Sequence, residues 1–217
     1  MELAAVIFDL DGVLVDSESV WDAVREQVTR ESGGRWHEHA QRDMMGMSSL
    51  EWSRYMHETL GVPMEPEEIS ALVVARLRER YLQDLPLLPH AIATVRVLAK
   101  RWPLGLASSS NRPVIELVLE ETGLGPCFRA TVSSEEVRRG KPAPDVYLET
   151  ARRLDVEPAG CVAIEDSTNG IRSARAAGMF VAVVPRPDFP PASDALELAD
   201  LVLDSLGDLP ATLDGIG

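Results

Sequence analysis

Residues 3–16 read LAAVIFDLDGVLVD, and the fold is decided here. Leu3 to Phe8 is an unbroken apolar run containing the β-branched pair Val6 and Ile7. A parallel strand buried on both faces needs such a run, and the acidic turn with Gly12 ends it. Asp9 closes the strand and Asp11 follows two residues later, a spacing at which alternate residues of a tight turn face one crevice. Taken alone, the pair also fits an Asx-stabilised turn. With DGVLVDS attached, two carboxylates that divide labour is the stronger reading.

Working outward, the character changes after Leu14 and Val15. From Ser17 to Leu85 nothing resembles a buried strand; Ser19–Glu31, Ser48–Leu60 and Pro66–Leu82 carry helical spacing of apolar residues, separated by Gly33-Gly34 and Gly61-Val62-Pro63. Alternation then resumes. Strands are expected at Leu104–Ala107, Ala130–Val132, Cys161–Ile164 and Phe180–Val184, with helices at Arg112–Glu121, Pro144–Leu154 and Ile171–Ala177. Repeated βαβ units imply an α/β fold, a parallel sheet with helices on both faces. The helical block is thus an insertion: residues 1–15 and 86–217 form the core, and 16–85 an α-helical cap over the crevice at the strand ends. The proline-rich stretch Pro185–Pro191 is expected to lie ordered against the surface. Met44, Met45 and Met47 read as gap-filling core of the cap, and His37 and His39 as a solvated loop.

Composition bounds the function. The 217 residues are 45% hydrophobic and 26% charged, with a formal net charge of -14. Such acidity argues against nucleic acid as a partner, because nonspecific affinity for phosphate backbones comes from clustered Lys and Arg. It does not exclude a small anion once a divalent cation is bound. Cys127 and Cys161 are the two cysteines, and Cys161 reads as a buried free thiol. No basic segment precedes the first apolar run, which Asp9 and Asp11 interrupt, so no signal peptide is expected. No segment approaches the ~20 apolar residues that span a membrane. A cytoplasmic protein, a monomer or weak dimer without membrane partners, is the expectation.

Three further motifs follow buried-strand signals. Ser108 in GLASSSN ends a strand just before Asn111-Arg112-Pro113 starts a helix, whose free N–H groups suit an anion. Ser108 and the N–H of Ser109 can hold a phosphoryl group, with Ser110 and Asn111 in the same turn; a serine-rich N-cap is equally reasonable in isolation. Lys141 lies in RGKPAPD, and the chain's other lysine is Lys100, so a retained lysine suggests a need for a compact charge. Glu165 and Asp166 follow CVAI and precede a helix. Like charges ~4 Å apart repel by about 4 kcal/mol at an effective dielectric of ~20. Asp9, Asp11, Glu165 and Asp166 would therefore not all stay ionised around a phosphate unaided. Mg²⁺ and Lys141 supply the missing positive charge. The set reads as a magnesium-dependent phosphoryl-transfer site.

These motifs, in this order, resemble the haloacid dehalogenase superfamily, and the insertion looks like its α-helical cap subclass. The resemblance implies a Rossmann-like core, Asp9 as nucleophile and Asp11 as acid/base. It also implies Mg²⁺ on Asp9, the Asp11 carbonyl and Asp166, with Glu165 supporting the metal directly or through water, and Ser108 and Lys141 on the phosphoryl group. DSESVWD, LPLLPH, GLASSSN and CVAIEDSTNG are similar to bacterial sugar-phosphate and sugar-alcohol-phosphate phosphatases. The implied substrate is a small phosphate monoester, with Glu18 and Trp21 facing it from the cap. His90 departs from the pattern, which has glycine there. A β-phosphoglucomutase is the nearest rival, and a catalytically silent phosphosugar-binding regulator a more distant one. The cap positions where a mutase manages its second phosphate hold Trp21, Ser49 and Leu77, which favours hydrolysis.

Overall fold

The computed structural model describes residues 3–45 and 47–215. Among them, six parallel strands form one sheet: β1 (Ala5–Phe8), β2 (Leu104–Ser108), β3 (Phe128–Ser133), β4 (Cys161–Glu165), β5 (Phe180–Val183) and β6 (Leu201–Val202). Their order is β3-β2-β1-β4-β5-β6. β1 lies between β2 and β4, and every one of its residues is buried. Successive strands step away from β1 in one direction as far as β3, and from β4 in the other. The connections therefore leave β1 and β4 towards opposite faces, and a crevice opens beyond their C-terminal ends.

Side chains alternate across the pleat, so each face has its own core. Val6 and Phe8 belong to one, Ala5 and Ile7 to the other. The insertion supplies α1 (Glu18–Glu31), α2 (Ala40–Met44), α3 (Ser49–Glu58) and α4 (Pro66–Gln83). The core domain adds α5 (Ala91–Leu98), α6 (Arg112–Thr122), α7 (Asp145–Leu154), α8 (Thr168–Ala176), α9 (Ser193–Leu196) and α10 (Leu209–Asp214). α5, α6 and α10 cover the Val6/Phe8 face, while α7, α8 and α9 cover the other.

The cap helices start and pack as their sequences dictate. α3 opens with a capping box, Ser48 N–H donating to Glu51 Oε2 at 2.8 Å, and α4 with Pro66 in its first turn. Trp21, Val24 and Val28 of α1 bury against Trp52 and Met56 of α3 and Ile69, Val73 and Leu77 of α4. One charged residue, Arg25, shares the buried stripe of α1. The chain enters and leaves the cap side by side: Asp16 N–H donates to Pro86 O at 2.7 Å and Leu88 N–H to Leu14 O at 3.0 Å. His90, just beyond, has φ 67°, the left-handed conformation that glycine adopts freely. A histidine thus occupies a backbone conformation that favours glycine.

The anticipated strands and helices all form, with ends shifted by a few residues at most. α2, α5, α9, α10 and β6 were not anticipated. Met44 is buried core as expected and Met47 packs against that core, though Met45 and Met47 also line the cavity described below. His37 and His39 are exposed, and Cys161 is a buried free thiol. No helix among the described residues is long and apolar enough to cross a membrane.

Candidate active site

Register brings the acids together. Phe8 pairs with Ile164, so Asp9 and Glu165 lie level at the ends of adjacent central strands, with Asp166 next along. Asp9, Glu165 and Asp166 each offer a carboxylate oxygen within 4.8 Å of the others, and all three are buried. Two glycines make room for them. A Cβ on Gly12, which has φ +75°, would lie 1.8 Å from Asp166 Oδ2. One on Gly170, in the first turn of α8, would lie 1.9 Å from Glu165 Oε1.

Lys141 reaches the same place from the loop before α7. Its Nζ stands 2.6 Å from Glu165 Oε1 and 3.0 Å from Asp9 Oδ1, and 5.0 Å from the Tyr147 ring centre. Burial works against its charge, yet Asp9 and Glu165 hold it protonated above the usual lysine range. Glu165 Oε1 also accepts from the Tyr147 hydroxyl at 2.7 Å, and Oε2 from the Asp166 and Ser167 backbone N–H groups and the Ser167 hydroxyl. Its oxygens are therefore already well supplied with donors. Glu165 orients Lys141 as much as it could serve a metal.

The remaining acids are short of positive charge. Burial pushes Asp9 up to about 8, against the pull of Lys141 and with Glu165 and Asp11 adding to the rise. Burial, then Glu165 and Asp9, also hold Asp166 well above the carboxylate range. Asp9 Oδ1, apart from its ion pair with Lys141, and Asp166 Oδ1 have no hydrogen-bond partner. Hard oxygen donors, orphaned and reluctant to ionise together, fit a divalent cation.

Asp11 stands apart from that cluster. Its Oδ2 accepts from the Ser110 hydroxyl at 2.6 Å and the Ser108 hydroxyl at 3.5 Å, and its Oδ1 from Trp21 Nε1 at 3.1 Å. The side chain is thereby tied to the loop after β2 and to the cap, not to Asp9, Glu165 and Asp166. The metal role expected of Asp11 involves its main-chain carbonyl, which this arrangement leaves open.

A cavity of about 820 Å³ lies between core and cap. Asp9, Asp11, Ser109, Ser110, Asn111, Lys141 and Asp166 line it from the core, Glu18 and Trp21 from the cap. Ser108 does not line it. It is fully buried beneath the loop, accepting from Ser110 N–H at 2.9 Å, so Ser109 and Ser110 present the hydroxyls that face the cavity. Asn111 donates to Glu135 Oε1 at 2.6 Å while its Oδ1 lacks a partner. Of the cap positions compared with a mutase, only Trp21 lines the cavity. Leu77 is sealed in the cap core and Ser49 opens on a separate cleft.

Sequence reasoning missed much of the wall. Asp22, Arg25, Gln41, Arg42 and Trp52 join it from the cap, and Asp188 to Ala192 from the core. That last segment is the proline-rich connection, which lines the cavity where a surface position was expected. Arg186 beside it pairs with Asp16 at the cap entry at 2.9 Å. For Arg25 the signal was available: a charged residue on the apolar stripe of an amphipathic helix is uncommon without a task. Its guanidinium lies 4.7 Å from the Trp21 ring centre and 5.0 Å from that of Trp52, and burial lowers it to about 10. Glu18 nearby is raised to about 7, by burial first, against the pull of Arg25.

The chain is 35% identical over 229 residues to hexitol phosphatase B of Escherichia coli K12, covering 97% of this chain and 96% of that protein. It is 32% identical over 208 residues to the bifunctional riboflavin kinase/FMN phosphatase of Arabidopsis thaliana, where 95% of this chain spans only 54% of the relative's length. The crystal structure of CbbY from Rhodobacter sphaeroides in complex with phosphate superimposes with a TM-score of 0.84 at 26% identity, over 95% of this chain and 96% of that one. A family model described as a haloacid dehalogenase-like hydrolase matches residues 3–178. With that match laid over a parallel sheet, a helical insertion and an acidic cluster beside a buried lysine, the chain belongs to the haloacid dehalogenase-like hydrolase family.

Proposed function

We propose that this protein is a Mg²⁺-dependent phosphomonoesterase acting on a small phosphorylated metabolite, a sugar phosphate, with residues 16–85 as its cap. The observation that carries the reading is the separation of two carboxylates in one crevice. Asp9 sits with the acidic cluster and Lys141, while Asp11 is held apart by Ser110 and Trp21. One can attack while the other handles the proton.

In this scheme an oxygen of Asp9 bonds to phosphorus as the ester P–O bond breaks, and Asp11 gives its proton to the departing alcohol oxygen. Asp11 then takes a proton from water, whose oxygen attacks the phosphoaspartate and frees orthophosphate and Asp9. Lys141 and the Ser109 N–H offset charge on the phosphoryl oxygens. Asp9 and Asp166, with the Asp11 carbonyl, would hold Mg²⁺, which when bound offsets the negative charge of the acids and the phosphoryl group. Glu165 fixes Lys141. The hexitol phosphatase named above supports a sugar-derived substrate.

A phosphotransferase that isomerises a sugar phosphate is the second reading. Arg25 and Arg42 on the cap wall are the observation in its favour, since they could face a second phosphate. The deciding experiment measures free phosphate across a panel of phosphorylated metabolites and a generic aryl phosphate, with a coupled assay for isomerisation of β-glucose 1-phosphate. Phosphate release without isomerisation is expected. Isomerisation that outruns release would hand the assignment to the mutase, and silence on every ester would leave a binding protein.

A further inference from the structure

Three polar atoms on the cap wall are buried and have no hydrogen-bond partner among the described residues: Asp22 Oδ1, Arg25 Nε and Gln41 Oε1. All three side chains line the cavity shared with Asp9 and Asp11. A buried polar group left unpaired is destabilising, so three on one wall need an explanation.

Their orientations are fixed. Gln41 Nε2 donates to Glu18 Oε2 at 2.9 Å and to Glu18 O at 3.2 Å, which settles the amide and leaves its oxygen to accept. Arg25, only 6% exposed, has its guanidinium within 5.0 Å of both Trp21 and Trp52 ring centres. The guanidinium rests beside both indoles and makes no ion pair with the described residues, so its N–H groups remain for a ligand.

The donor and acceptor pattern selects the ligand. An anion only accepts, so it could use Arg25 but would be repelled by Asp22 and Glu18. An ammonium only donates, so it could use Asp22 and Gln41 but would leave Arg25 without an acceptor. A hydroxyl both donates and accepts, and neighbouring hydroxyls on one chain can satisfy one donor and two acceptors together. We infer that Asp22, Arg25 and Gln41 form a subsite for adjacent hydroxyl groups, so that the alcohol released from the ester is an uncharged, polyhydroxylated chain. The inference rests on the phosphatase reading and narrows it to the part of the substrate that leaves.

The test compares kcat/KM, with Mg²⁺ present, for sorbitol 6-phosphate, n-hexyl phosphate, 3-phosphoglycerate and phosphoethanolamine. Sorbitol 6-phosphate should exceed n-hexyl phosphate by about a hundredfold or more, because a site built to bond hydroxyls rejects analogues lacking them. Arg25→Met and Asp22→Ala should each shrink that ratio about tenfold, and the ratio cancels any general loss of active protein. Asp22 is only partly buried, so its variant remains informative if Arg25→Met folds poorly. An unchanged ratio in both variants, or a preference for the carboxylate or amine substrate over the polyol, would overturn the subsite while leaving a phosphatase. Absence of phosphate release from all four esters and from an aryl phosphate would instead bring down the phosphatase reading and this one with it.

Discussion

The indole N–H of Trp21 donates to Asp11 Oδ1 across 3.1 Å, joining the first helix of the cap to the carboxylate assigned the proton-transfer role. In this conformation the cap is therefore set down on the core, and seating it orients Asp11. Under the proposed mechanism such coupling would let lid position control when the acid is aimed at a leaving oxygen.

Trp21→Phe keeps an aromatic ring beside Arg25 but removes the N–H, together with part of the buried indole. A hydrogen bond to a charged acceptor contributes about 1.5–3 kcal/mol. The expected result is kcat lower by about tenfold or more, with a smaller change in KM, in steady-state assays on the best substrate. A change confined to KM would mean that Trp21 is merely a wall.

Asp9→Asn should lose several orders of magnitude in kcat, because an amide is nearly isosteric but a poor nucleophile. More than a few per cent of wild-type kcat would rule Asp9 out as nucleophile.

Stability of the metal-free protein should fall as pH rises. Asp9 goes from 3.8 unfolded to about 8 folded, so between those values the folded state binds more protons and stability declines with pH. Glu18, raised to about 7, and Asp166, held well above the carboxylate range by burial and its acidic neighbours, act in the same direction. The slope approaches about 1.4 kcal/mol per pH unit for each such group. Denaturant titrations between pH 5 and 8 should show the decline. A flat profile would mean that the acids are paired by something else.

Mg²⁺ should reverse that loss. On the proposed reading the metal binds the ionised cluster, so thermal stabilisation by it should be larger at pH 8 than at pH 5. Chelation should abolish phosphate release, Mg²⁺ restore it, and Ca²⁺ support it poorly because its looser coordination spoils the alignment. Full turnover after exhaustive chelation, with no metal found by elemental analysis, would exclude the metal role.

His90→Gly should be neutral or stabilising. A non-glycine residue in the left-handed region costs roughly 1 kcal/mol, partly offset by the entropy glycine loses on folding. His90→Val, β-branched at the same φ of 67°, should destabilise by about 1–2 kcal/mol. Urea midpoints of the three proteins give the order, and a Val variant equal to the Gly variant would contradict the strain.

How much of this was legible in the sequence follows from range. Asp9, Glu165 and Asp166 announce themselves because each follows an apolar run, and parallel pairing then aligns the ends of those runs. Periodicity gave the long cap helices for the same local reason. α2 has five residues and β6 two, too short for any period to register. α5, AIATVRVL, is rich in β-branched residues and starts at a left-handed histidine, so neither its pattern nor its cap speaks for a helix. Ser108 and Ser110 are equivalent on paper, and only the turn of the loop tucks Ser108 beneath it and brings the Ser110 hydroxyl to 2.6 Å from Asp11, against 3.5 Å for Ser108. Arg25, Gln41 and Asp188 come to one cavity through the packing of cap on core, a contact no short window contains.

The paired crossings at Leu14–Asp16 and Pro86–Leu88 carry a further consequence. With its two ends hydrogen-bonded to each other, the insertion is a closed excursion whose length is nearly invisible to the sheet, since loop-closure entropy grows only logarithmically with chain length. Lineages could lengthen, shorten or exchange the excursion while Asp9 and Lys141 stayed where they are. Chemistry and taste would then evolve on separate clocks, one written in strand ends and the other in a replaceable cassette.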